Sequence, residues 1–425
     1  MKRVSLALLL ASAAPASAQS APVRQDALRF SSYLAEVARS NPALAAQRQT
    51  LPVAQAQTII ARIFPDPVIS AGLGSLDVSN VGAQNSVVVS ASIPLEWPGK
   101  RSARVALSEA NLSVASAEFE DFARTARANA ATAYIDAVLA RRVLDHKKAA
   151  VESLHRVVML NEKRLQEGAA SEIVVLQARV EARRAEGELI TAIGDARALR
   201  LQLDEQMGRP ATKAVSSEVA SDLKAPPQQF ELDALVAGAL ERRPDQKARE
   251  LAVDTAKAQL HLAKANRGPD VAVGVGWQYY TPGAAGSAFQ SPDYHAVSAQ
   301  LSVPLPFSKL ADGEARAAAA QQQLAQSQRD ASRLKVETEV RTAFIRYEAA
   351  RERLAQYDEA LLADSDRLLE MARYSFEQGA SRLVELLSAQ RSWIDLHLAY
   401  EAALADHARA LVALETAAGL WDLAW

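Results

Sequence analysis

The sequence contains no cysteine and few aromatic residues, and both shortages restrict what the protein is. Without cysteine there are no disulfides, no thiolate metal sites and no lipidated N-terminal cysteine. Aromatic residues make up only 5% of the chain, although 49% of its residues are apolar. That composition favours closely packed helices with small contact residues. The formal net charge of −2 argues against a nucleic-acid partner.

Glycine and proline are missing from two long stretches, one between Gly99 and Gly168 and one between Gly313 and Gly379. These stretches predict helices over residues 103–165 and about 315–377, each about 95 Å long at the α-helical rise of roughly 1.5 Å per residue. A globular helix usually has three or four turns. Leucines and valines recur at steps of seven, at 144, 151, 158 and 165 with Leu154 at the intermediate position, and at 354, 361 and 368. This spacing predicts coiled-coil partners.

Long hydrophobic runs are also missing after the N-terminus. Residues 1–18 read as a secretory signal peptide, with Lys2 and Arg3 before a short apolar core and Ala16-Ser17-Ala18 as the cleavage site. The apolar core is too short to span a bilayer, and no later stretch reaches the length of a transmembrane helix.

The chain is internally duplicated. Pro42 and Pro244 each follow a first amphipathic helix, and Pro67 and Pro269 each open a strand-like run, both pairs lying 202 positions apart. Gly168 and Gly379 break the two long helices, and a returning helix follows each break. We therefore divide the chain into a signal peptide (1–18), a first repeat (19–207), a connector (208–229), a second repeat (230–418) and a C-terminal tail (419–425), each repeat comprising a helix, a strand pair and a long helical hairpin.

Three segments, residues 87–93, 271–277 and 297–303, alternate apolar with small or polar residues, and residues 67–73 do so less regularly. A period of two predicts half-buried strands. Aromatic residues at the strand ends favour a membrane barrel over a soluble sheet, because aromatic girdles mark lipid interfaces. The helix-side residues are Phe64, Trp97 and Phe307, and the loop-side residues are Tyr279, Tyr280 and Tyr294. Four strands cannot close a barrel, so we expect an oligomer of eight, twelve or sixteen strands in total.

The strand-to-helix junctions carry the sharpest motif. Residues 93–101 read Ile-Pro-Leu-Glu-Trp-Pro-Gly-Lys-Arg, with Pro94, Gly99, Lys100 and Arg101 before the long helix, and the second junction has Pro304 with Gly313 opening the helix. The layout resembles the outer-membrane factor (TolC-like) family, and the first junction is similar to its heavy-metal efflux branch, the CzcC/CusC-like proteins.

This resemblance implies a homotrimer with a twelve-stranded β-barrel in the outer membrane and a periplasmic α-barrel built from coiled-coil helices. It also implies a periplasmic adaptor and an inner-membrane transporter of the resistance-nodulation-division (RND) type. The adaptor would contact the hairpin tips, at Arg164, Gly168, Ser171, Tyr374, Gly379 and Ser381.

The charged residues at the hairpin tips are candidates for a site. We expect a cation gate at the tip carboxylates Glu167, Glu172, Glu377 and Glu385, because charged rings set selectivity in pores. The six histidines lack the His-His spacing of a helical metal site, so no metal or cofactor is expected. Gly99-Lys100 lacks the first glycine of a phosphate loop, since position 94 is proline. No catalytic grouping emerges, and we do not expect an enzyme.

The predicted function is an outer-membrane exit duct of a tripartite efflux pump that passively conducts substrate. The resemblance favours divalent or other heavy-metal cations as cargo. Three alternatives stay open: a drug-efflux or type I secretion duct of the same fold, a non-pore periplasmic coiled-coil scaffold, and a standalone porin.

Overall fold

The computed structural model describes residues 27–74, 86–210, 212, 219–220, 228–282, 292–305 and 309–421. The predicted signal peptide and Phe307 of the predicted girdle lie outside these residues. Among the helices described, none combines the length and the apolar character needed to cross a membrane.

Each half of the chain repeats one order of elements: short helices, two strands, a long helix and a returning helix. The first half consists of α1 (Phe30–Ser40), α2 (Pro42–Arg48), α3 (Thr50–Arg62), β1 (Val68–Gly74), β2 (Ser86–Leu95), α4 (Lys100–Gln166) and α5 (Glu172–Gln206). The second consists of α6 (Leu232–Arg242), α7 (Pro244–Ala265), β3 (Val271–Tyr280), β4 (Tyr294–Ser302), α8 (Leu310–Ala355), α9 (Glu359–Glu377) and α10 (Leu383–Ala418). The predicted fold class, mainly helical with a small β part and an internal duplication, is confirmed.

The first long helix is continuous, and the second is not. Helix α4 has 67 residues, slightly longer than predicted. The single helix predicted over residues 315–377 is wrong, because α8 ends at Ala355 and α9 begins at Glu359. Asp358 causes the restart, since its side chain accepts a hydrogen bond from the Leu361 amide at 2.7 Å and so caps α9. Gly313 does not open α8, which begins at Leu310 after Lys309 in a left-handed conformation (φ 53°).

The buried seam of α4 is offset from the predicted heptad. Ala150, Leu154, Val157 and Asn161 are buried at alternating steps of four and three. Of the predicted positions at steps of seven, Leu165 is exposed and the other three are half-buried. Leu154, the intermediate position of the predicted series, is buried in this seam, whereas Ala150 and Asn161 were missed because their side chains are small or polar.

Equivalent tyrosines on α4 and α8 anchor the two repeats. The Tyr134 hydroxyl on α4 donates to the Leu28 carbonyl at 2.8 Å, and the Tyr347 hydroxyl on α8 donates to the Gln228 carbonyl at 2.9 Å. Burial raises the pKa of Tyr134 to about 12. Each tyrosine sits in a core rich in alanine and valine where the short N-terminal helix of its repeat packs on the long helix.

The four strands form one antiparallel sheet in the order β1-β2-β3-β4. Strands β2 and β3 pair in register from Ser86↔Tyr280 to Leu95↔Val271, so the two repeats meet at the centre of the sheet. Both halves contribute one hairpin, and the sheet therefore fuses the duplicated units into one structural element.

Candidate functional site

The two hairpin tips share one backbone geometry. Gly168 (φ 73°) and Gly379 (φ 74°) adopt left-handed conformations directly after α4 and α9. The amide of the following alanine then bonds back to the helix, Ala169 N to Arg164 O at 2.7 Å and Ala380 N to Ser375 O at 2.9 Å. This is the Schellman arrangement, in which glycine avoids the steric cost of positive φ. The tips are thus two matched, tightly turned ends.

Arg164 joins the two tips. Its Nη2 atom donates to the carbonyls of Phe376 (2.8 Å) and Glu377 (2.7 Å), the last residues of α9. Its guanidinium also lies over the Phe376 ring, 4.9 Å from the centroid. A cation at a helix C-terminus satisfies carbonyls that have no partner within the helix. Arg164 therefore positions the second hairpin against the first, while Tyr374 remains exposed.

The four predicted gate carboxylates divide into two pairs. Glu167 lies 4.0 Å from Lys163, and Glu377 lies 3.1 Å from Arg373. Each is an exposed ion pair between residues one helical turn apart. Glu172 and Glu385 sit in the first turns of α5 and α10, where the helix dipole favours negative charge. All four are exposed. A gate from these residues stays a prediction.

The first strand-to-helix junction binds the two repeats together. Lys100 is buried at the start of α4, and its Nζ atom lies 2.8 Å from Oδ1 of Asp270, the residue before β3. The same oxygen accepts from the Trp97 amide at 2.9 Å. Partial burial raises the pKa of Asp270, but the hydrogen bonds from Lys100 and Trp97 outweigh it and hold the pKa below its ordinary value. Sequence reasoning missed Asp270; its place immediately after Pro269 at a strand start was the available signal.

Two further arginines of this junction hold the end of α3. Arg101 Nε donates to the Arg62 carbonyl at 2.8 Å, and Arg104 donates to the carbonyls of Ala61 and Ile63. Arg104 is in turn held by Glu96, and the Arg101 guanidinium lies 4.3 Å from the centroid of the Phe64 ring. The basic motif therefore fastens the start of α4 to the end of α3 and to the start of β3.

The register gives the sheet two chemically different faces. One face is apolar except for His295, whose ring stacks on Trp277. Its other members are Ile69, Ala71, Leu73, Val87, Val89, Ala91, Ile93, Val273, Val275, Trp277, Tyr279, Val297, Ala299 and Leu301. The opposite face carries small and polar residues, among them Ser70, Ser90, Ser92, Gly274, Gly276 and Ser298. The predicted tyrosine girdle is divided between them, because Tyr279 lies on the apolar face and Tyr280 and Tyr294 on the polar face. Trp97 lies at the helix-side end, against Gly268.

The histidines do not form a metal site in the described residues, where no group of three or more metal-ligating side chains occurs. Two of them nevertheless meet across helices, with the ring centroids of His146 and His397 5.5 Å apart. Asp366 on α9 accepts from the Trp393 indole at 2.6 Å and lies 3.2 Å from His397. This contact ties α9 to α10, and sequence spacing did not reveal it because its members come from different helices.

The architecture of strands, long helices and paired tips occurs in known proteins. The sequence profile of the family described as "Outer membrane efflux protein" matches residues 33–209 and 235–420, one match for each repeat. The chain belongs to this outer membrane efflux protein family.

Curated relatives of this efflux protein match along most of its length. It is 22% identical to the cobalt-zinc-cadmium resistance protein CzcC of Cupriavidus metallidurans, over 92% of this chain and 90% of that one. It is 28% identical to the protein CyaE of Bordetella pertussis, over 83% of this chain and 76% of that one.

Solved structures share the fold of this efflux protein. A crystal structure of CusC superposes with a TM-score of 0.72 at 18% identity, covering 95% of both chains. The outer-membrane channel OprN gives 0.72 at 20% identity, over 92% of this chain and 89% of that one. VceC of Vibrio cholerae gives 0.70 at 20% identity, over 91% and 95% respectively. The sequence-based assignment to the outer-membrane factor family is therefore confirmed.

Proposed function

We propose that this outer membrane efflux protein works as a homotrimer whose three sheets close one twelve-stranded barrel, continued into the periplasm by the helices. The observation that carries the proposal is the sheet itself. It has one apolar and one polar face, and the apolar side chains stand exposed in the single chain, with Ile69 77% and Val297 82% accessible. In a barrel wall the apolar face contacts lipid and the polar face contacts water in the pore, which accounts for both faces.

The open edges of the sheet support the same proposal. Strands β1 and β4 each pair on one side only within the described chain. Unpaired strand edges are not tolerated in hydrocarbon, so copies of the chain must pair β1 of one with β4 of the next. The non-pore scaffold requires neither an apolar outer face nor edge pairing. A porin that works alone does not need helices as long as α4.

We further propose that the duct receives its cargo through a periplasmic adaptor and an inner-membrane RND transporter, and that heavy-metal cations are the cargo. The name of the Cupriavidus relative, a cobalt-zinc-cadmium resistance protein, supports the cargo class. The exposed tips, with Gly168 and Gly379 at their ends, are the surfaces that we assign to the adaptor. We place the mature chain, without its signal peptide and not lipidated, in the outer membrane.

Fractionation tests the architecture. The duct predicts a detergent-requiring trimer in outer-membrane fractions whose electrophoretic mobility changes on heating. A monomer or dimer released without detergent would contradict it.

Growth of a deletion strain tests the cargo. We expect increased sensitivity to zinc, cobalt or cadmium, restored by the gene on a plasmid. Sensitivity to antibiotics alone would reject metal cations and favour the drug-efflux duct.

The tip carboxylates are proposed as the gate that prefers cations. Replacing both Glu167 and Glu377 by Gln removes two charges per protomer, so we expect the cation-to-anion permeability ratio in bilayer recordings to fall. The matched control replaces Glu352 by Gln, which is exposed on α8 away from the tips. An unchanged ratio in the double variant would eliminate the gate.

A further inference from the structure

Tyr280 and Tyr294 form a stacked pair at the loop-side end of the sheet. They are directly opposed in the β3–β4 register as its last pair. Their ring centroids lie 4.4 Å apart and the ring planes differ by 15°. Aromatic pairs attract each other beyond the area that they bury, so each ring stabilises the orientation of the other. Tyr294 is still 46% exposed.

The pair stands on the polar face of the sheet, above a lining of small side chains. The neighbouring positions on that face are Gln278, which donates to Ser86 at 2.9 Å, and then Gly276 and Ser298. Apart from the tyrosines, no side chain on this face is larger than glutamine, whereas two tyrosine rings project from it at one level. In a closed barrel the passage is therefore narrower at the tyrosines than below them.

Fixed charge is absent from this face in the described strands. Its residues are Val68, Ser70, Gly72, Gly74, Ser86, Val88, Ser90, Ser92, Pro94, Ala272, Gly274, Gly276, Gln278, Tyr280, Tyr294, Ala296, Ser298, Gln300 and Ser302. Along the polar face of the described strands a cation meets no carboxylate, and the strongest attraction that this face offers is the negative face of an aromatic ring. That attraction favours quaternary ammonium ions, because they surrender little hydration, over tightly hydrated metal cations.

We propose that the Tyr280–Tyr294 pair of each protomer forms a narrow collar at the outer mouth of the duct that binds organic quaternary ammonium cations. The inference rests on the proposed function, since it requires the polar face to line a pore. The collar lets hydrated metal ions pass without capturing them, and it retards bulky organic cations.

Single-channel recording of the purified full chain in planar bilayers tests the collar. Tetrabutylammonium chloride added to the loop side is the probe. We expect it to lower the wild-type conductance saturably. In the double variant Tyr280→Ala with Tyr294→Ala, half-block should need a concentration roughly fivefold higher or more, and the conductance in potassium chloride alone should rise.

Two further variants separate the collar from general effects on the barrel. Tyr279→Ala removes the adjacent ring on the apolar face, and we expect block to be unchanged. Tyr280→Phe with Tyr294→Phe keeps the ring faces and removes the hydroxyls, and it should restore block to the wild-type concentration. A heat-modifiable oligomer on gels shows that each variant is assembled.

The outcomes are distinguishable. A wild-type pore that tetrabutylammonium does not affect, or that is blocked equally in the double alanine variant, overturns the collar and leaves the duct intact. Loss of block in Tyr279→Ala as well overturns the collar by placing the effect on the wrong face. A wild-type protein that forms no channel overturns the proposed function itself.

Discussion

Single arginine side chains close the ends of helices throughout this molecule. Arg164 holds the end of α9, Arg101 and Arg104 hold the end of α3, and Arg124 and Arg243 donate to Thr416 and Ala417 at the end of α10. In each case the arginine comes from a different element than the carbonyls. These bonds add to the buried apolar clusters that α4 shares with α9 and α10, and together they set the relative positions of the rods.

Arg164→Ala should loosen the tip of the second hairpin. Removing a charged donor from two carbonyls costs about 1.5–3 kcal/mol locally. We expect faster hydrogen exchange at the amides around Gln378, measured by mass spectrometry. The control Arg373→Ala breaks only the exposed pair with Glu377, which is worth about 0.3–0.5 kcal/mol. Equal effects from the two variants would show that Arg164 does not fasten the tips.

Glu401 makes stability depend on pH. Burial raises its pKa, but His146 and Arg142 beside it outweigh the burial, so the folded pKa lies below the ordinary value. A depressed carboxylate pKa stabilises the fold above the unfolded value of about 4.3, and this contribution is lost as the pH falls through the folded pKa. Thermal melts of the wild type and Glu401→Gln should therefore converge on acidification below pH 4. A difference in melting temperature that widened below pH 4 would contradict a lowered pKa of Glu401 in the folded protein.

Arg142→Ala tests the same pair from the other side. Arg142 Nη1 donates to both oxygens of Glu401 at 2.9 and 2.8 Å, and the Glu401 side chain is only 8% exposed. Leaving that charge without its arginine should cost about 3–5 kcal/mol, seen as a lower melting temperature in detergent. The double variant Arg142→Ala with Glu401→Gln should be more stable than Arg142→Ala alone, because no unpaired charge is left buried. Losses of stability that simply add in the double variant would contradict the pairing.

Among the helices, the hairpin turns depend on backbone conformation more than on packing. A Cβ added at Gly379 would meet nothing within 4 Å, yet the residue has φ 74°. Gly379→Ala should therefore cost about 1–2 kcal/mol through strain alone. Gly379→Asn should cost less, because asparagine tolerates the left-handed region. Local hydrogen exchange at the tip measures the loss of stability in both variants. Equal losses in Gly379→Ala and Gly379→Asn would point to a steric cause instead of backbone strain.

The elements that the sequence predicts well are those set by local rules. The stretch without glycine and proline predicted α4, and Gly168 and Gly379 predicted both hairpin tips. These predictions succeeded because glycine and proline determine the backbone conformation of the residues next to them. The break before α9 was missed because Asp358 caps a helix without any glycine or proline. The Arg164 contact with Phe376 and the Lys100 contact with Asp270 were also missed, because each joins residues that are far apart in the chain.

For the protein as a whole, the two faces of the sheet predict opposite responses at adjacent positions. Val89→Lys places a charge on the apolar face, where it should cost about 2–4 kcal/mol at the depth of the bilayer centre. Ser90→Lys places the same charge on the polar face and should be tolerated. The yield of heat-modifiable oligomer in membranes measures the difference. Equal yields of oligomer from Val89→Lys and Ser90→Lys would show that the apolar face does not contact lipid.

The pairing of β2 with β3 has a consequence for biogenesis. Strand β2 ends at Leu95 and its partner begins at Val271, so about 175 residues separate them along the chain. Under the proposed outer-membrane placement, export N-terminus first brings the first hairpin into the periplasm long before the second. A two-stranded hairpin with an unpaired edge is marginal in water and prone to aggregation. We therefore expect β2 to need shielding from other strands until the second half arrives.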